Sequence, residues 1–466
     1  MKKNILFVSF LFVLSFGKAQ SLQEKIDRAV KVLQADAQMK HAILSLYVVE
    51  TKTGIPVFEL NKEVGLVPAS TQKIFTSIAS FELLGKYYHY KTEIGYEGNI
   101  EKDTLKGNLV IKGSGDPTLG SWRYAVTKPE VLTSILLKAL QKESVKYIRG
   151  NIIIDGSKFT YQPIPGGWVW DDIGNYYGAG TWALNWNENQ YDLLVVPGNK
   201  EGEEVKITAT KPALENFKII NFLKTGKPGS GDNGYIYMPP YATNGFVTGT
   251  VPAGEKEFVL AGAIPDPPFQ FGIFIKKYLI ENDILISGNV TNQINNDSLT
   301  KSTFHSLAII ESPIFDSINY CFIQKSINLY GEALIKSFAF EKEGIGSTEN
   351  GVSILKLFWQ KNGIDSSAIN IIDGSGLSPQ NRVSTKALVD ALQYATTKNW
   401  YENFYNALPF YNGIKMKSGT IGGSKAFAGY YTSQNNIHYT FAIILNNFAK
   451  EGSIVPKLYK VLDQLK

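Results

Sequence analysis

Cysteine is nearly absent: Cys321 stands alone in 466 residues. A single thiol excludes an internal disulfide framework and any cysteine-cluster metal site. Histidine is scarce too. His41, His89, His305 and His438 are scattered, with no HExxH and no close pair, so zinc chemistry lacks its ligands. No G-x-S-x-G elbow occurs, which sets aside the serine–histidine–aspartate hydrolase layout. No charge of one sign dominates. Lys+Arg at 47 against Asp+Glu at 42 leaves +5, and Lys2, Lys3 and Lys18 supply three of those charges in an acid-free start, leaving +2 for the rest. A nucleic-acid partner is therefore not implied. There is no internal repeat, no collagen-like glycine period and no apolar run long enough to span a bilayer, which takes about 20 residues. What the chain has instead is 44% hydrophobic residues, 42 Gly, 25 Tyr and 26 Phe. That is the make-up of a folded protein rich in turns and strands, long enough for about three domains at ~150 residues each.

The first nineteen residues read as a secretory signal. Lys2 and Lys3 precede an apolar run, 5–16, and Gly17-Lys18-Ala19 offers small residues for a cut before Gln20. The mature chain is expected to be exported and soluble, and periplasmic in a cell with two membranes; an uncleaved anchor is the alternative. Apolar periodicity predicts a helix over 21–38, a hairpin over 41–50 and 56–59, and a helix from Pro68 to Leu84. From about 89 to 302 short strands alternate with Gly/Pro/Asn turns, and helical pattern survives mainly at 129–142. Helices return after Pro313, and strands at 427–432 and 438–446 form a last hairpin before a closing helix at 454–465. The predicted layout is a signal (1–19), one sheet-and-helix domain in two parts (20–88 and 303–466), and a strand-rich insertion (89–302).

Three short motifs carry chemistry. In Ser70-Thr71-Gln72-Lys73, serine at i and lysine at i+3 share a helix face. Apolar neighbours (Ile74, Phe75, Ile78) would bury the lysine and favour the neutral amine that takes a hydroxyl proton. The helix N-terminus favours a developing oxyanion. Ser298…Lys301 and Ser353…Lys356 have the same spacing; a loop and a surface helix are their plain readings. Ser326-Ile327-Asn328 supplies a second hydroxyl and an amide, or alternatively a polar cap for the following helix. Lys417-Ser418-Gly419-Thr420 sets a cation and hydroxyls on an edge strand suited to a terminal carboxylate, with Gly419 leaving room for a bound backbone. The Ser70 and Thr420 N–H groups would form an oxyanion hole. Lys52-Thr53-Gly54 and Lys224-Thr225-Gly226 imitate this third motif, and read as a hairpin turn and a polar loop.

In that order the three motifs resemble those of the penicillin-recognising serine enzymes. Longer strings sharpen the resemblance. Gly107–Leu119 (GNLVIKGSGDPTL), Gly150–Phe159 (GNIIIDGSKF), Gly167–Asp172 (GWVWDD), Ser326–Leu334 (SINLYGEAL) and Asp373–Ser378 (DGSGLS) resemble the class C low-molecular-mass penicillin-binding proteins, the D-alanyl-D-alanine carboxypeptidases/endopeptidases. The resemblance implies an α+β transpeptidase fold of the penicillin-binding-protein/β-lactamase type, with a large β-rich insertion between the first two motifs. It implies a Ser70 nucleophile, a Lys73 base, Ser326 and Asn328 as proton relay and substrate-amide contact, and Lys417 for the carboxylate, with Ser418, Gly419 and Thr420 beside it. It further implies a stem-peptide substrate ending in D-Ala-D-Ala, inhibition by β-lactam antibiotics, and no cofactor or metal. Asp155 and an arginine after Ser378 would bind a diaminopimelate carboxylate. Here Pro379 follows Ser378, and Arg382 is the substitute. Two further departures are Ser418 in place of threonine and Tyr330-Gly331 before Glu332. Alternative readings are an inactive peptidoglycan-binding or scaffold protein of the same fold, and a β-lactamase or esterase using the same serine.

Overall fold

The computed structural model describes residues 21–293 and 303–466. The predicted signal and the Ser298…Lys301 pair lie outside the described residues. Ser21 opens the first helix, Leu22–Gln34, through a reciprocal cap: its hydroxyl takes the Glu24 N–H, and the Glu24 carboxylate takes the Ser21 N–H. The N-terminal hairpin (Ile43–Glu50, Pro56–Leu60) and the C-terminal hairpin (Ser424–Thr432, His438–Asn446) then join in one antiparallel sheet. Their inner strands pair directly, Leu46 opposite Ile443. Ile414–Ile421 flanks them on one side, and Phe410–Tyr411 covers only Ile414 and Lys415 of its outer edge.

Both faces of this sheet are covered, so its strands read as apolar runs. Leu44, Leu46, Val48, Met416 and Phe427 pack beneath Leu22–Gln34 and Val455–Leu462. Tyr47, Val49, Ala426 and Ala428 face a helical layer that includes Lys73–Leu83, Asn328–Glu343 and Thr385–Thr396. The Lys73–Leu83 helix is buried on every side from Lys73 to Phe81, as a helix through a core must be.

Between the two halves the chain builds a separate core over a seven-stranded sheet and two three-stranded ones. Three expectations change here. Pro267–Glu281 is a second long helix of this region. Its aromatic and β-branched composition hides the helical period, although Asp266 at the cap and Pro267 at the first position announce it. Phe304–Glu311 pairs with Lys91–Glu101 as the edge of the seven-stranded sheet, so the chain leaves that sheet only after Glu311. Lys224-Thr225-Gly226 ends a strand, Lys218–Gly226, and is no loop. Among the described residues no helix is long and apolar enough to cross a membrane.

Candidate active site

Ser70 sits in a tight turn, Ala69–Gln72, that feeds the helix beginning at Lys73. Ala69 holds a left-handed φ of 47°, a costly conformation for a residue with a Cβ. The Thr71 hydroxyl donates to Pro68 O at 2.7 Å and pins the turn. The Ile414–Ile421 strand crosses directly against it. A Cβ on Gly419 would meet Pro68 O at 2.4 Å and Ser70 N at 2.9 Å. Gly419 thus leaves room for the protein's own serine turn.

Lys73 is wholly buried, while Ser70 stays partly exposed. The Lys73 Nζ lies 3.0 Å from Ser70 Oγ, 2.6 Å from Asn328 Oδ1 and 2.7 Å from the Ser375 carbonyl. The last two can only accept. They take both hydrogens of a neutral amine and leave its lone pair toward the Ser70 hydroxyl. Burial lowers the Lys73 pKa to about 7, against the opposing pull of Asp373 and Glu332. Asn328 cannot flip freely, because its amide donates to Tyr177 O at 2.8 Å.

Ser326 holds a left-handed φ of 60° two residues before Asn328, which is the first residue of the Asn328–Glu343 helix. Lys417 Nζ donates to Ser326 Oγ and to Ser418 O, both at 2.9 Å. Burial, reinforced by the charges of Lys73 and Lys425, pushes the Lys417 pKa well below the lysine range. Lys73 thus links Ser70 to Asn328, and Lys417 links Ser326 to the strand that crosses the Ser70 turn.

The sequence reading missed what holds these groups. The Asp373 carboxylate is fully buried and accepts from five donors: Gln72, Gly376, Trp168, Ser378 and Asn381. It shapes the 373–378 loop that presents the Ser375 carbonyl to Lys73. Gly331 and Gly374 let this loop press onto the Asn328–Glu343 helix, since a Cβ on Gly374 would meet Gly331 O at 2.4 Å. On the same helix, burial and the neighbouring Asp373 charge raise Glu332 to about 8. Lys336, also buried, donates to Gln162 O and Thr181 O at 2.6 and 3.1 Å. The Tyr330 hydroxyl donates to the buried Glu188 at 2.8 Å. The inserted region is thereby tied to the helix that carries Asn328.

Asp155 and Arg382 are each engaged locally. Arg382 is exposed and folds back onto the carbonyls of Pro379 and Asn381, at 2.6 and 2.8 Å. Asp155 accepts the Ser157 N–H at 2.9 Å. Ser353 lies exposed on Thr348–Lys361 and donates to Glu349 O, a surface helix residue.

A model of the D-Ala-D-Ala carboxypeptidase 3 (S13) family matches residues 23–413. A D-alanyl-D-alanine carboxypeptidase of an Actinomadura species is 25% identical over 460 residues, 93% of this chain and 82% of the relative. The D-alanyl-D-alanine carboxypeptidase DacB of Haemophilus influenzae is 24% identical over 413 residues, 84% of this chain and 83% of that one. The crystal structure of penicillin binding protein 4 from the same organism superposes with a TM-score of 0.79 at 21% identity, covering 94% of this chain and 97% of that one. That likeness gives the α+β penicillin-binding-protein fold.

Proposed function

Because the chain belongs to the D-Ala-D-Ala carboxypeptidase 3 (S13) family, we propose that its peptidase chemistry on peptidoglycan runs through Ser70. The observation that carries this is the buried Lys73 amine 3.0 Å from Ser70 Oγ with both its hydrogens committed elsewhere. Lys73 takes the hydroxyl proton as Oγ attacks the carbonyl of the penultimate D-alanine. The oxyanion forms against the Ser70 and Thr420 N–H groups. The C–N bond breaks, and the departing D-alanine amine receives the proton through Ser326, which Lys417 orients. Water then hydrolyses the ester. An amide cross-bridge to another stem peptide is cut by the same attack of Ser70, which forms the same acyl-enzyme, and a β-lactam carbonyl meets the same hydroxyl. Action on peptidoglycan requires export, and the leader-like start supports it. Arg382 donates to carbonyls of its own loop and takes no part in these steps.

The test is release of D-alanine from a synthetic peptide ending in D-Ala-D-Ala. Below a pKa of about 7 the Lys73 amine is protonated and has no lone pair, so release should climb as pH rises through that value. Ser70→Ala should abolish it. A folded wild type that releases no D-alanine, or a Ser70→Ala protein as active as wild type, overturns the proposal.

A further inference from the structure

The buried Lys417 leaves a question of charge. The residue is 1% exposed, and its amine donates to Ser326 Oγ and Ser418 O. A substrate carboxylate arriving at the open edge of the Ile414–Ile421 strand needs a cation that reaches that edge. Lys425 is one. It stands on the neighbouring Ser424–Thr432 strand, opposite Thr420 in register. Side chains alternate along a strand, so Ser418 and Thr420 continue the row of Ile414 and Met416. Lys425 and Phe427 face the same way, and the Lys425 ammonium passes 4.8 Å from the Phe427 ring to end 2.7 Å from Thr420 Oγ1. It thus ends beside Thr420, on the strand whose outer side beyond Lys415 no strand pairs among the described residues. The opposite face of that strand, at Gly419, touches the Ser70 turn. Burial alone depresses the Lys425 amine, and no carboxylate among the described residues forms an ion pair with it.

We propose that Lys425 is a carboxylate-binding residue that, with the Thr420 hydroxyl, holds the C-terminal carboxylate of the bound D-Ala-D-Ala peptide. This rests on the reading of Ser70 as nucleophile and adds what selects a free chain end. An ammonium half-withdrawn from water and without an acidic partner gains most when an anion docks. The site then favours peptides with a free terminal carboxylate over the same peptides with that charge removed.

The test compares a D-Ala-D-Ala peptide with its C-terminal carboxamide on wild type, Lys425→Met and Lys425→Arg. Lys425→Met should shrink the preference for the acid about tenfold, mainly through KM, a change of about 1.4 kcal/mol. Lys425→Arg should restore most of it. An equal fall on both peptides means a merely structural contact and overturns the proposal, as does an unmoved preference. Should wild type cleave neither peptide, the peptidase reading fails instead. Binding of the acid peptide to Ser70→Ala, with and without Lys425→Met, then reads Lys425 by itself: unequal affinities uphold it, equal ones overturn it.

Discussion

Lys73→Met protein should be acylated at Ser70 about 10³-fold more slowly than wild type, within the ~10²–10⁴ range of a positioned general base. Methionine fills a similar buried volume without a basic nitrogen, so the change removes the proton acceptor and leaves packing. It also strips the donors from Asn328 Oδ1 and the Ser375 carbonyl. Each unmet acceptor costs roughly 1–3 kcal/mol. Part of that is recovered because an amine is no longer held out of water, so the melting temperature should fall by only a few degrees. Stopped-flow acylation by a chromogenic β-lactam measures the rate. A loss of less than tenfold, with the protein folded, would mean that another group takes the Ser70 proton.

Asp373→Asn should be the most destabilising conservative change near the site. Five donors converge on the two carboxylate oxygens, and three of them share one oxygen. An asparagine keeps one acceptor oxygen and turns its own N–H groups toward donors on the other side. At least two buried donors are stranded and face the new N–H groups, a cost of about 3 kcal/mol. For a domain of this size that is a fall on the order of 8 °C in Tm, read by calorimetry. Activity should fall with it, because the loop that carries the Ser375 carbonyl to Lys73 is shaped by this carboxylate. An unchanged melting temperature would show that the loop holds its form by packing alone.

The elements near the chain ends are easy to read because their signals are local. Ser21 and Glu24 announce a cap, and the 427–432 and 438–446 runs announce a hairpin, as the pairing of Thr432 with His438 bears out. The S-x-x-K spacing is local as well: one helical turn is enough to bring Lys73 to Ser70. What fails is whatever depends on distant partners. Nothing adjacent to Asp373 in sequence shows that Trp168 and Gln72 will donate to it. Nor does anything adjacent to Gly419 in sequence show that the turn at Pro68 will pack against it. Pro267–Glu281 hides because Phe and Ile favour strands, and tertiary burial overrides that preference. Lys425 carries no motif at all; only strand register sets it beside Thr420.

The central claim is that Ser70 is the hydroxyl Lys73 deprotonates. Peptide mapping by mass spectrometry after treatment with benzylpenicillin tests it most directly. The predicted result is one covalent adduct, on the peptide that carries Ser70, and none on Ser70→Ala protein. An adduct that persists in Ser70→Ala, or maps to a peptide without residue 70, would contradict it.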